Sequence, residues 1–326
     1  MRILPRPIKR FIERTIGGVG VLMYHRVAEE AVDPWNLCVT PRHFDEQMSV
    51  LAAARAHVRL SDAARARDRL HPGVNRFAVT FDDGYVDNLV NALPVLERYE
   101  VPATIFVASG MVGAKREFWW DALERVILGA HALPPKLLLK IDGQERTFEV
   151  DSEASERRRA LFQELWSCVF NMVPEKQHRV VDEIIAWSGC ERTAPAGRLP
   201  VNAEELAQLA AHPLITIGSH TIDHVSLTDC APENQRAQID GGRRMLEEMI
   251  GAPVATFAYP YGRHDGITVG IVKALGLDLA CTTHEGPATF RSDPHRLPRL
   301  MVVDQDGSSF ANWLRRSHGL ARPVLS

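Results

Sequence analysis

Cysteine is sparse in this chain and shows no pattern. Cys38, Cys168, Cys190, Cys230 and Cys281 are scattered, odd in number and never spaced as Cys-x-x-Cys. That excludes a disulfide framework and a thiolate zinc site, and it fits a reducing compartment. Long apolar runs are missing as well: nothing approaches the ~18 consecutive apolar residues of a membrane span. Nor does charge of one sign accumulate. A net charge of −3, with no long basic block, argues against a nucleic-acid partner. No internal repeat or low-complexity tract interrupts the chain, and 326 residues suffice to bury a full core as one large α/β domain or two ordinary ones.

What is present is an alternation of short apolar runs with helical patterns, the signature of an α/β protein with a mostly parallel sheet. The runs predict strands at Gly20 to Tyr24, Phe77 to Phe81, Ala103 to Val107, Leu214 to Gly218, Thr256 to Ala258 and Leu279 to Thr282. Helices are expected at Pro41 to Ala54, Val86 to Tyr99, Ala203 to Ala210, Pro232 to Ile250 and Gly266 to Leu275. Thr40-Pro41, Gly251 and Gly276 supply the start and stop signals. From about 115 to 198 the rhythm breaks. Phe118-Trp119-Trp120-Asp121, a two-stranded candidate around Asp142-Gly143 and two charged helical patterns read as an insertion into a single domain of residues 19–318. Residues 319–326 read as a tail.

Residues 1–18 form a separate N-terminal segment. Ile8, Phe11, Ile12 and Ile16 share a helical face, with Lys9, Arg10 and Arg14 largely on the other. Such a helix can lie on an anionic membrane, and a packing or frayed terminal helix is the alternative. The apolar stretch Ile16 to Met23 has no small-residue cleavage site after it, so it reads as a first core strand and not as a signal sequence. A cytoplasmic location, with peripheral contact at the inner face of the membrane as one option, is the expectation.

Two strand ends carry chemistry. Phe77 to Phe81 stops on Asp82-Asp83-Gly84, and Leu214 to Gly218 stops on Ser219-His220-Thr221-Ile222-Asp223-His224. Asp-Gly alone is a common turn signal, and a His-x-x-x-His pair arises by accident on surfaces. Together, at the C-terminal ends of strands where α/β active sites collect, they suit a divalent metal with one carboxylate to spare. Two histidines and a carboxylate leave a position open for water on zinc, and the second carboxylate can act as base.

Thr80-Phe81-Asp82-Asp83-Gly84-Tyr85, Ser219 to His224 and Phe257-Ala258-Tyr259-Pro260-Tyr261-Gly262 resemble, in order, the first three motifs of the polysaccharide deacetylases, the NodB-homology enzymes of carbohydrate esterase family 4. The similarity runs from roughly Val21 to Val303, apart from the insertion. It implies a distorted (β/α) barrel of about seven strands and metal-dependent removal of N-acetyl groups from a carbohydrate. By the resemblance Asp82 is the base, Asp83, His220 and His224 hold the metal, and Tyr261 offers a backbone N–H to the oxyanion. The metal expected is Zn²⁺ and the partner an acetylated polysaccharide, oligosaccharide or sugar-lipid intermediate.

Two departures stand out. The family's third motif carries an arginine where this chain has Ala258, and Arg299, in Leu297-Pro298-Arg299, is the candidate replacement. The family's C-terminal Leu-x-His is missing, while Met23-Tyr24-His25-Arg26-Val27 resembles a permuted subgroup with that motif at the front. His25 is therefore the candidate general acid. Trp119 and Trp120 are candidates for stacking on sugar rings, with core packing as the alternative. Two other functions stay open: deformylation or another amide hydrolysis on a lipid-linked or nucleotide-linked sugar, and an inactive sugar-binding homologue.

Overall fold

The computed structural model describes residues 18–62, 75–129, 131–141, 143–151, 154–289 and 291–318. The amphipathic segment and the tail expected at the two ends of the chain lie outside these residues, apart from Gly18. By contacts the chain divides into two compact units, one of residues up to 29, 36–112 and from 201 onward, the other of 30–35 and 113–200.

The first unit is a closed barrel. Its strands are β1 (Gly18–Tyr24), β2 (Asn75–Phe81), β3 (Ala103–Val107), β4 (Ile215–Ser219), β5 (Thr256–Ala258), β6 (Leu279–Glu285) and β7 (Leu297–Met301). All seven are parallel and paired in chain order, and β1 closes the ring by pairing with both β2 and β7. Strands covered on both faces are largely buried, which is why they read as apolar runs and not as alternations. Between neighbouring strands, large side chains need gaps opposite them. Gly20 lies in register with Phe77, and a Cβ at Gly20 would sit 2.5 Å from that ring. Gly218 faces Phe106 in the same way, at 2.4 Å. Only glycine leaves room for either phenylalanine.

Helices of this unit are α1 (Pro41–Ala53), α2 (Leu93–Tyr99), α6 (Ala203–Ala211), α7 (Pro232–Ile250), α8 (Gly266–Ala274) and α9 (Gly307–His318). Thr40 caps α1 by accepting from the His43 N–H, with Pro41 at the first position as its sequence indicates. Where a single helix was expected from Val86, a wide π-turn at Asn88–Ala92 comes first and α2 begins at Leu93. Strand β7 and helix α9 were not read from the sequence, nor was a short parallel pairing of Arg26–Val27 with Cys38–Val39. Strand β7 contains Pro298 and a charged Arg299, which mask its pattern; α9 is a mostly polar run started by Asp306, which accepts from the Ser309 N–H.

The second unit holds α3 (Trp119–Leu128), an antiparallel hairpin of Lys136–Ile141 with Gln144–Glu149, α4 (Ser155–Phe170) and α5 (Pro174–Ser188). Trp119 and Trp120 are buried in it. Phe118 stacks on Trp120 at 4.6 Å, and Trp119 lies against Trp166 at 5.8 Å. The pair is core packing. Arg198 ties the unit's two chain segments together, donating to Glu30 and Glu124.

Candidate metal centre and active site

Apart from Arg299, which lies within β7, each candidate residue sits beyond the C-terminal end of a barrel strand. Asp82 follows β2, and its N–H continues the ladder by donating to Tyr24 O at 3.0 Å. The chain then turns sharply: Asp83 has φ +75° and Gly84 φ +82°. A non-glycine residue held there is strained by ~1–3 kcal/mol, a strain that clusters at functional sites. Beyond β4, His220 to His224 form a loop and not a helix, with Thr221 at φ +68° and His224 at φ +53°. Gln238 on α7 braces this loop by accepting from the N–H groups of Ile222 and Asp223, at 3.1 and 3.0 Å. Thr221 Oγ1 accepts from the His224 N–H at 3.0 Å.

These two turns bring Asp83, His220 and His224 together. Asp83 Oδ1 lies 3.1 Å from His224 Nε2 and 3.5 Å from His220 Nε2, and all three residues are buried. A tetrahedral cation with bonds of ~2.0–2.1 Å separates its ligands by roughly 3.3 Å, so the spacing fits. The protonation pattern fits as well. His220 Nδ1 is 2.7 Å from Ala258 O, which can only accept; the ring proton therefore sits on Nδ1 and leaves Nε2 with its lone pair. Burial pushes the Asp83 carboxyl up, yet His224 and His220 beside it hold it well below the ordinary carboxylate range. Burial pulls His224 down despite Asp83, favouring neutral imidazole. Asp83 Oδ1 has no hydrogen-bond partner among the described residues, although it is fully buried. An ionised oxygen and two imidazoles are what a divalent cation needs.

Asp82 turns towards another partner. Arg299, 1% exposed on β7, donates to both of its oxygens, Nη1 to Oδ1 at 2.7 Å and Nη2 to Oδ2 at 2.6 Å. Its Nε donates to Thr282 O at 2.9 Å, so the guanidinium cannot swing away. Burial raises the Asp82 carboxyl, but Arg299 and then His220 bring it below the ordinary value. Ala258, where the resemblance led one to look for an arginine, is buried and contributes its carbonyl to His220. His25 follows β1, with Nε2 4.0 Å from Asp82 Oδ2. Tyr261 lies in the turn after β5 at φ +57°, its ring edge-on to His224 at 4.6 Å. Asp82, Asp83, His220, His224, Arg299, His25 and Tyr261 thus form one linked cluster. Gln238 escaped the sequence reading, because a glutamine in a helix carries no mark of the loop that it will brace.

A family profile described as polysaccharide deacetylase matches residues 71–152 and 181–280, together more than half of the chain. That span includes Asp82, Asp83, His220, His224 and Tyr261, while His25 and Arg299 lie outside it. YxkH of Bacillus subtilis, assigned by name to the polysaccharide deacetylases, is 21% identical over 303 residues, covering 90% of this chain and 75% of its own. Among solved structures, the Streptococcus pyogenes deacetylase PplD in complex with acetate superposes with a TM-score of 0.59 at 17% identity, over 92% of this chain and 98% of that one. IcaB from Ammonifex degensii gives 0.57 at 20% identity, over 91% and 97%. Both share the fold.

Proposed function

The chain belongs to the polysaccharide deacetylase family, and we propose that it hydrolyses N-acetyl groups on a polysaccharide or oligosaccharide with a divalent cation held by Asp83, His220 and His224. The carrying observation is this buried ligand set next to a second carboxylate, Asp82, which an arginine keeps ionised. Zinc suits the mixed nitrogen and oxygen donors. When bound, the cation supplies Lewis acidity towards water and the acetamide carbonyl.

The chain's own residues do the rest. Asp82 accepts the proton of the attacking water, and Arg299 keeps it ionised and fixed. The Tyr261 N–H donates to the oxygen on which negative charge develops. His25 gives its proton to the departing amine nitrogen, since an amide anion is a prohibitively poor leaving group. Acetate and a free amino sugar result. A cytoplasmic location is proposed, with peripheral contact at the inner face of the membrane as an option that rests on the sequence of residues 1–18 alone. No helix among the described residues is long and apolar enough to cross a membrane.

Metal analysis of the purified protein together with acetate release from N-acetylated oligosaccharides tests this reading. About one divalent cation per chain is expected, with chelation abolishing release. His220→Ala and His224→Ala each lose most of the metal. Full metal content in both variants would show that these histidines are not the ligands.

A further inference from the structure

We infer that Asp87 and Asn88, together with Arg26, form a positioning unit that sets the His25 imidazole against Asp82. The inference rests on the proposed role of His25 as general acid. Beyond β1, Arg26 and Val27 pair outside the barrel with the two-residue strand Cys38–Val39, and side chains of the turn after β2 grip the backbone of residues 25–27 from the other side of the chain. His25 O accepts from Asn88 Nδ2 at 2.9 Å. The Val27 N–H donates to Asp87 Oδ1 at 3.1 Å, and Val27 O accepts from Asn91 Nδ2 at 2.7 Å. Asn88 Nδ2 also donates to Asp87 Oδ1 at 3.0 Å, so the two grips are joined.

The charges make the grip rigid. Arg26 Nε donates to Asp87 Oδ2 at 3.0 Å, and the guanidinium carbon lies 5.0 Å above the Tyr85 ring. Arg26 is 3% exposed, Asp87 1% and Asn88 0%. A buried ion pair gains little over apolar residues of similar volume, so stability alone does not account for one here. Its geometric effect is specific. Asp82 and Asp87 belong to one short span, Phe81 to Asn88, and that span holds the main chain on both sides of the His25 side chain: Tyr24 O through the Asp82 N–H, His25 O through Asn88. The acid is thereby registered to the base across strands. The π-turn at Asn88–Ala92 presents Asn88 and Asn91 to the same segment, a departure from the α-helix of the kind found at functional sites.

Asn88→Ala is the direct test, read on an N-acetylated oligosaccharide and on an aryl acetate ester. A loss of register of about 1 Å costs ~10²-fold. The amide kcat should therefore fall by that order with KM and metal content unchanged. The ester kcat should fall less, because a phenolate leaves without a proton. In a His25→Ala background, Asn88→Ala should cost nothing further, since it acts through the missing imidazole. Asp87→Asn, nearly isosteric, should give the same pattern more weakly and serves if Asn88→Ala does not fold. Wild-type amide turnover in both variants, equal losses on amide and ester, or a further loss in the His25→Ala background would each overturn the inference. If His25→Ala alone shows no amide-over-ester loss, the reading of His25 itself fails, and that control separates the two failures.

Discussion

Asp82 and Arg299 are more than two hundred positions apart and share one bidentate, fully buried ion pair. Removing one partner strands the other charge. Arg299→Met should cost about 3–5 kcal/mol of stability in chemical denaturation, while Arg299→Lys keeps the charge, loses the fork and should cost less. The sign of the pH effect follows from the pair. As the proposed base Asp82 would work ionised; its carboxyl lies below the ordinary range, so activity should be lost as pH falls through that value. Without Arg299 the carboxyl rises, so the acid limb of kcat/KM in Arg299→Met should move to higher pH. An unmoved acid limb would mean that another cation sets Asp82. At this scale the ionisable residues were legible because two strands end on them. Arg299 was legible only as a candidate, since its neighbours show a proline and no motif. Asn88 and Gln238 left no trace, because amides gain their roles from turns that no local pattern announces.

Among the elements, the strands that read as pure apolar runs were legible to within three residues at either end, and Pro232–Ile250 to its ends. β7 was not, because an inward-facing arginine breaks the apolar signal in the strand that must supply the charge. α2 was placed too early, because periodicity cannot separate a π-turn from the first turn of a helix. The glycine and phenylalanine pairs on neighbouring strands give a test of packing. Gly20→Ala puts a Cβ against the Phe77 ring and should lose about 1–3 kcal/mol. Combined with Phe77→Leu, the loss should be less than the sum of the two single losses, read as denaturation midpoints at constant m-value. Additive losses would mean that the two positions do not compete for the same space.

For the barrel as a whole, closure matters more than chain order. Because β1 pairs with both β2 and β7, a histidine after the first strand and an arginine on the last both meet a carboxylate on the second. That arrangement places His25 and Arg299 beside Asp82 although the family's C-terminal histidine motif and third-motif arginine are not where the resemblance would put them. The central claim is that Asp82 is the base of a metal-dependent deacetylase. It is tested most directly by Asp82→Asn protein shown to carry one metal ion per chain, assayed for acetate release from an N-acetylated oligosaccharide. The amide is close to isosteric but takes up no proton, so release should fall ~10²–10⁴-fold with metal retained. Near-wild-type release by the metal-loaded variant would contradict the account.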